Sequence, residues 1–296
     1  MTIVTLAAIA GLLVAGSASA EIVVSDGFET SASPSASQYE ADANLSGQDP
    51  NIAGFSDAWD GTNFERFATR ATGITGFFAD EAAGGLQVTQ EGSNTTRDWT
   101  RTITGDPAEA SKTYWFAFSA NFAETTGGGV SMGYSVDNDP VDIGMENGTF
   151  TYKTAGDGDT QDLTFGTAEA NTDYLFISSL DITGFGGGTD ETFNVWVFSA
   201  DDFAAWDKQE STLDSAATAT LGEQTANIMY NDGADSGLSQ ARVEYIEPGD
   251  GNTLFGTQLD EYRISSDFDS LGVVPEPATM SLLALGGLGA LLKRKR

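Results

Sequence analysis

Between residues 22 and 273 the chain alternates apolar and polar positions over short runs. The clearest run is Tyr114–Phe122. There Tyr114, Phe116, Phe118, Ala120 and Phe122 fall on one side, and Ser119 and Asn121 on the other. A period of two describes a pleated strand, and the face with three phenylalanines requires burial, most simply against a second sheet. Tyr174–Ile182 and Thr192–Phe198 read as two further long strands separated by Gly184–Gly188. In the second of these, Phe193, Val195 and Val197 point one way and Trp196 and Phe198 the other, which predicts a central strand covered on both faces. Shorter runs at Ile22–Val24, Leu86–Thr89, Trp99–Thr104, Val130–Tyr134, Ile143–Met145, Thr149–Lys153, Arg242–Ile246 and Leu254–Ile264 have the same character. Asn147-Gly148 joins two of them, and both residues tolerate positive φ, a strong hairpin signal. Asp201–Trp206 reads as a helical turn, and the small, polar, Ala-rich Ser211–Thr225 as a peripheral loop. Roughly twelve to fourteen strands, with no long amphipathic helix and no fixed repeat, predict an all-β protein built as a single β-sandwich.

The two ends follow different rules. Ile3–Val14 is an apolar core followed by Ala18-Ser19-Ala20, which reads as a secretory signal peptide over residues 1–20 with cleavage after Ala20. At the other end, Pro275-Glu276-Pro277 precedes an apolar segment containing Leu282, Leu283, Leu285, Leu288, Leu291 and Leu292, and then Lys293-Arg294-Lys295-Arg296. The prolines keep their stretch extended and open to a processing enzyme. The four cations resist translocation. Ala278–Leu292 would span about 22 Å as a helix, against a hydrocarbon core of roughly 30 Å, so it suits a transient stop better than a permanent anchor.

Composition narrows the chemistry. The chain has no Cys and no His, which excludes disulfides, a Ser-His-Asp triad, a histidine zinc site and a histidine base. Its formal net charge is −31 even with four of its 13 cations in the last four residues, so nucleic acid and anionic lipid are unfavourable partners for the body.

The tripartite end, Pro275-Glu276-Pro277, apolar segment and basic cluster, resembles the PEP-CTERM sorting signal of exopolysaccharide-producing Gram-negative bacteria. That resemblance implies export, removal of the tail by an exosortase-type enzyme, and delivery to the cell surface or extracellular matrix. Two stretches of the body resemble laminin-G-like, concanavalin A-like jelly rolls. One is Phe28-Glu29 with Gly47-Gln48 and Gly54-Phe55-Ser56-Asp57-Ala58-Trp59; the other is Asp260-Glu261-Tyr262-Arg263-Ile264. The resemblance implies one jelly roll over residues 21–273, its last strand pairing with its first, with the sorting signal at 274–296.

Three kinds of chemistry are open to such a body. Asp137, Asp139 and Asp142, and Asp157, Asp159 and Asp162, form oxygen-rich turns suited to Ca²⁺, the one cofactor to consider. Trp99 and Trp206 have polar neighbours and are the candidate glycan contacts, with extracellular polysaccharide as the candidate ligand. Glycoside hydrolysis needs paired carboxylates. The Glu-x-Asp-x-x-Glu pattern of this fold's glucanases is absent, and no catalytic residue is assigned. The expected role is structural or adhesive and not enzymatic, with polysaccharide hydrolysis as the alternative.

Overall fold

The computed structural model describes residues 22–61, 67–81, 84–89, 97–104, 112–136, 139–155, 160–182, 191–226, 238–246 and 254–273. The signal peptide with Ala18 and Ala20, the tail from Pro275 to Arg296, and Asp137, Asp157 and Asp159 lie outside them.

Two large antiparallel sheets face each other. The first contains β1 (Ile22–Asp26), β5 (Phe67–Arg70), β6 (Gly85–Val88), β8 (Lys112–Asn121), β13 (Asp173–Ile182), β14 (Glu191–Ser199), β15 (Ala219–Ala226) and β17 (Gln258–Ser265). Its order is β15-β14-β13-β8-β17-β6-β5, with β1 also paired to β17. The second contains β4 (Phe55–Asp60), β7 (Arg97–Ile103), β9 (Gly129–Val136), β10 (Asp139–Glu146), β11 (Thr149–Ala155), β12 (Thr160–Thr167) and β16 (Leu238–Ile246). Its order is β12-β11-β10-β9-β16-β7-β4. A small parallel pair, β2 (Thr30–Ser31) and β3 (Tyr39–Glu40), lies apart. The protein is an all-β sandwich, and its first strand pairs with its last, Val24 opposite Ile264.

The core between the sheets is aromatic. Phe116, Phe118 and Phe176 from the first sheet meet Tyr134, Phe150 and Tyr152 from the second. Phe118 stacks on Phe176 at 4.7 Å, and Phe150 meets Phe176 edge-on at 5.6 Å. Each such side chain stabilises by roughly 1.5–3 kcal/mol relative to exposure. The Asn147-Gly148 hairpin forms as expected, with φ of 49° and 80°, the mirror-image turn that matches strand twist.

Four expectations change. The second face of β8 is not polar: Trp115 and Ala117 are buried there in a separate cluster with Trp196, Phe198 and Phe203. Ser211–Thr225 is not a loop. It carries a 3-10 turn at Glu210–Thr212, a helical turn α2 (Leu213–Ala216) and the edge strand β15, because Ala219 and Leu221 alternate inward onto the core. Asp162 lies in β12 and not in a turn. The strand count is seventeen among the described residues, higher than the composition suggests because several strands are only two to four residues long.

The helical turn expected near Asp201 is α1 (Ala200–Ala205). Ser199 caps it by accepting from the Asp202 amide at 3.2 Å, and Asp201 and Asp202 lie at its positive end. With α2 it covers part of the outer face of the first sheet and leaves a groove beside it.

Candidate functional site

The two outer faces of the sandwich differ in chemistry. On the first sheet, register places Ser179 of β13 between Trp115 of β8 and Asn194 of β14. Asp181 and Thr113 form the next row, where the Thr113 hydroxyl donates to Asp181 Oδ1 at 2.5 Å. Trp196 lies near Trp115 with ring centroids 5.8 Å apart and planes 19° apart. Its Nε1–H donates to Asp214 Oδ1 at 2.7 Å, which fixes the ring from the α2 side. Phe268 meets Trp115 edge-on at 5.1 Å from the opposite side. Apart from Asp214, these residues, with Glu210, Leu213, Ser266 and Asp267, bound a groove of about 390 Å³. Its sheet floor is polar and the two indoles beside it are largely buried, so the groove can hold a hydroxylated ring chiefly by hydrogen bonds.

The outer face of the second sheet carries charge. Cross-strand partners share a face, so register aligns Asp162, Lys153, Asp142, Gly133, Arg242 and Thr100 in one row. The next row holds Thr151, Gly144, Ser131, Glu244 and Asp98. Gly133 has no side chain, so Arg242 reaches across it to Asp142 at 3.2 Å. A Cβ at Gly133 would lie 1.9 Å from the Val141 carbonyl oxygen. Arg242 also pairs with Asp98 at 3.2 Å, and Lys153 pairs with Glu146. Glu244 accepts from the Ser131 hydroxyl at 3.3 Å. Burial, then the nearby Asp142 and Asp98 charges, push its carboxyl up to about 7. Burial also raises Asp142 against the pull of Arg242. Every aromatic side chain of these strands is in the core or packed against it, so this face offers no ring to a sugar among the described residues.

A third polar region explains the two jelly-roll stretches as structural clamps. Asp26, pushed up to about 6 by burial, accepts from the Phe28 amide at 2.9 Å and from the Tyr39 hydroxyl. Tyr39 in turn accepts from Trp59 Nε1 at 2.9 Å and from Arg101 at 3.3 Å. Glu261 has φ +57°, and the pairing of β17 with β8 shifts register between Asp260 and Arg263. Such a backbone costs on the order of 1–3 kcal/mol, offset here by Arg263, which grips Glu261 at 2.6 and 3.0 Å and Asp80 at 2.7 Å. Asp260 Oδ2 accepts from the Ile74 amide at 3.0 Å. A polar cleft of about 370 Å³ opens between these segments.

The sequence-derived sites fare unevenly. Trp99 is not a surface contact: it is 1% exposed, meets Phe67 edge-on at 4.9 Å and lies over Gly61. Trp206 is also buried; it stacks on Phe198 at 4.6 Å and donates to Thr212 at 2.9 Å. Their polar sequence neighbours point away across the strand or beyond the helix end. Asp139 opens β10, Asp142 is held by Arg242 within that strand, and Asp162 lies opposite Lys153 in β12, so these three are spread along strands and do not gather in a turn. Among the described residues no group of three or more acidic side chains is placed to hold a metal ion. Trp115 and Trp196 read as core and are buried; the polar positions beside them were not singled out. The signal was present in Ser179, Asp181 and Asn194, polar residues at outward positions of otherwise apolar strands.

A family model for the PEP-CTERM protein-sorting motif matches residues 273–296. The chain carries a PEP-CTERM sorting motif. That motif marks the chain for export and surface sorting, with an exosortase as the processing enzyme. No curated protein sequence matches the chain. Among solved structures, it is similar to the receptor binding domain of botulinum neurotoxin D, at 8% identity and TM-score 0.42, over 70% of this chain and 46% of that one. It is similar to a bifunctional GH43-CE protein of Bacteroides eggerthii at 11% identity and TM-score 0.41, over 83% of this chain and 28% of that one. The CBM2 module of the evolved Dit of Lactobacillus casei BL23 phage J-1 matches at 9% identity and TM-score 0.38, over 69% of this chain and 91% of that one. Among the described residues no helix is long and apolar enough to cross a membrane.

Proposed function

We propose that the sorted protein is an adhesive component of the cell surface or extracellular matrix that binds polysaccharide through the groove beside Trp115 and Trp196. The observation that supports this reading is the groove's construction. Thr113, Ser179, Asp181 and Asn194 form a polar floor on the outer face of the sheet, beside the largely buried Trp115 and Trp196. Sugar hydroxyls can exchange hydrogen bonds with such a floor, and a sugar C–H face can pack on whatever ring face is left open beside it. No step in this reading breaks a bond. Tryptophan fluorescence of the full chain, purified in mild detergent and titrated with oligosaccharides, tests it. A saturable change that Asn194→Leu weakens severalfold supports it. Absence of any change across neutral, anionic and amine-bearing oligosaccharides overturns it.

One observation favours a second reading, a polysaccharide-cleaving enzyme. Glu244, with a carboxyl near 7, has the protonation state of a general acid at neutral pH. It ranks second because Asp142 is already engaged by Arg242 and the face around it lacks an aromatic seat. Release of reducing ends that Glu244→Gln abolishes would reverse the ranking.

A further inference from the structure

The sorting signal begins inside the folded body. Its match starts at Val273, and Val273 is buried with Leu271 and Phe268 in the apolar cluster on the outer face of the first sheet. After β17 the chain makes a 3-10 turn at Asp269–Leu271 and passes Gly272 at φ +72°. Phe268 meets Trp115 edge-on at 5.1 Å. The Leu271 carbonyl accepts from Arg263 at 3.2 Å, and the Gly272 carbonyl accepts from the Ala79 amide at 3.0 Å. Val274 alone separates Val273 from Pro275, a reach of about 7 Å at full extension. An enzyme that cuts a peptide bond takes the chain around that bond as an extended strand, so it favours backbone that is neither buried nor hydrogen-bonded. Leu271, Gly272 and Val273 fail that condition while the last turn is docked. We infer that Phe268–Val273 is a clasp that withholds Pro275-Glu276-Pro277 from the processing enzyme, so that removal of the tail waits for this turn to open. The rate of processing then follows the population of the locally opened body, and a chain whose last turn has not yet docked is the better substrate.

The test uses the full chain produced together with an exosortase, with loss of the tail followed by mass in a pulse-chase. One variant inserts about ten Gly and Ser residues between Val273 and Val274, which leaves every residue of the body in place and gives the enzyme a flexible approach. It should be processed roughly tenfold faster or more, because opening is no longer required. Leu271→Ala at the original spacing should accelerate processing by roughly tenfold or more as well, since a buried leucine is lost from the docked state alone. In the spaced chain Leu271→Ala should add nothing. Should Leu271→Ala fail to fold, the spaced chain with its intact body still decides. Equal rates for the original and spaced chains, cutting of neither included, would overturn the inference. The same acceleration by Leu271→Ala in both chains would also overturn it, by tracing the effect to loosening of the whole body.

Discussion

Replacing Glu244 by Gln should stabilise the protein at alkaline pH and leave it unchanged in acid. In the unfolded chain this carboxyl ionises near 4.5; in the folded protein it is pushed to about 7 by burial and by the charges of Asp142 and Asp98, with Lys153 and Arg242 opposing. Below pH 4.5 both states hold the proton and nothing is lost. Between 4.5 and 7 the unfolded chain is ionised while the folded one still retains its proton, so rising pH favours unfolding. Above 7 the penalty is complete. At about 1.4 kcal/mol per tenfold the full displacement corresponds to at most about 3.5 kcal/mol. Because Glu244 is only partly buried, water reduces this to about 1–2 kcal/mol. Gln keeps an acceptor for the Ser131 hydroxyl and removes the charge. Urea unfolding of both proteins from about pH 4 to about pH 9 should show a difference near zero in acid that grows through neutrality. The corresponding thermal gain is about 2–4 °C per kcal/mol for a body of this size. A difference that stays constant with pH, or a variant less stable in alkali, would refute the electrostatic account of this face.

Two further substitutions test the interior. Arg101→Met should destabilise by about 3–5 kcal/mol, because this buried guanidinium donates to the carbonyls of Asp57 and Pro50 and to Tyr39 and lies 3.8 Å from Asp26; a shift in the urea midpoint equivalent to less than about 1 kcal/mol would contradict that role. Tyr152→Phe should be neutral or stabilising by up to about 1 kcal/mol, since the Tyr152 hydroxyl is buried without a hydrogen-bond partner among the described residues while its ring stacks on Phe193 at 3.8 Å; a clear loss of thermal stability would mean that the hydroxyl has a bound partner, such as water.

Period-two patterning carried the long strands because each has a face that must be buried. Tyr114–Phe122 and Thr192–Phe198 are β8 and β14. The closing pair of β1 with β17 was also legible, from the Asp-Glu-x-Arg-Ile stretch. Patterning also showed that Thr192–Phe198 is covered on both faces, with Phe193, Val195 and Val197 in one cluster and Trp196 and Phe198 in the other, but it did not extend the second layer to β8. Ala117 and Trp115 look interchangeable with surface or core until α1 and α2 are placed over the sheet. The weak strands β12 and β15 were hidden by Asp, Thr, Ala and Gly, whose β character comes from neighbours and not from their own propensity. The charged face was illegible for a different reason. Asp142 and Arg242 are 100 residues apart in sequence, and only the register through Gly133 brings them together. Trp99 and Trp206 were misplaced because the polarity of sequence neighbours says nothing about an alternating strand or a helix end.

The two outer faces impose opposite demands on any ligand. The charged rows of the second sheet satisfy most of their own needs: Arg242 holds two carboxylates, Lys153 holds Glu146 and lies 4.0 Å from Asp162, and burial with the neighbouring Asp142 and Asp98 charges pushes the Glu244 carboxyl up to about 7. A ligand arriving there would have to break ion pairs and would gain no aromatic contact. On the first sheet, the inner ends of the groove are fixed, with Trp196 tied to Asp214 and Asp181 to Thr113. Glu210, at its rim, is exposed. Side chains fixed in advance lower the ordering cost of binding. A surface protein that must hold polysaccharide without cleaving it needs that combination, and the insertion between β14 and β15, which contributes Glu210, Leu213 and Asp214, builds it on only one side of the sandwich.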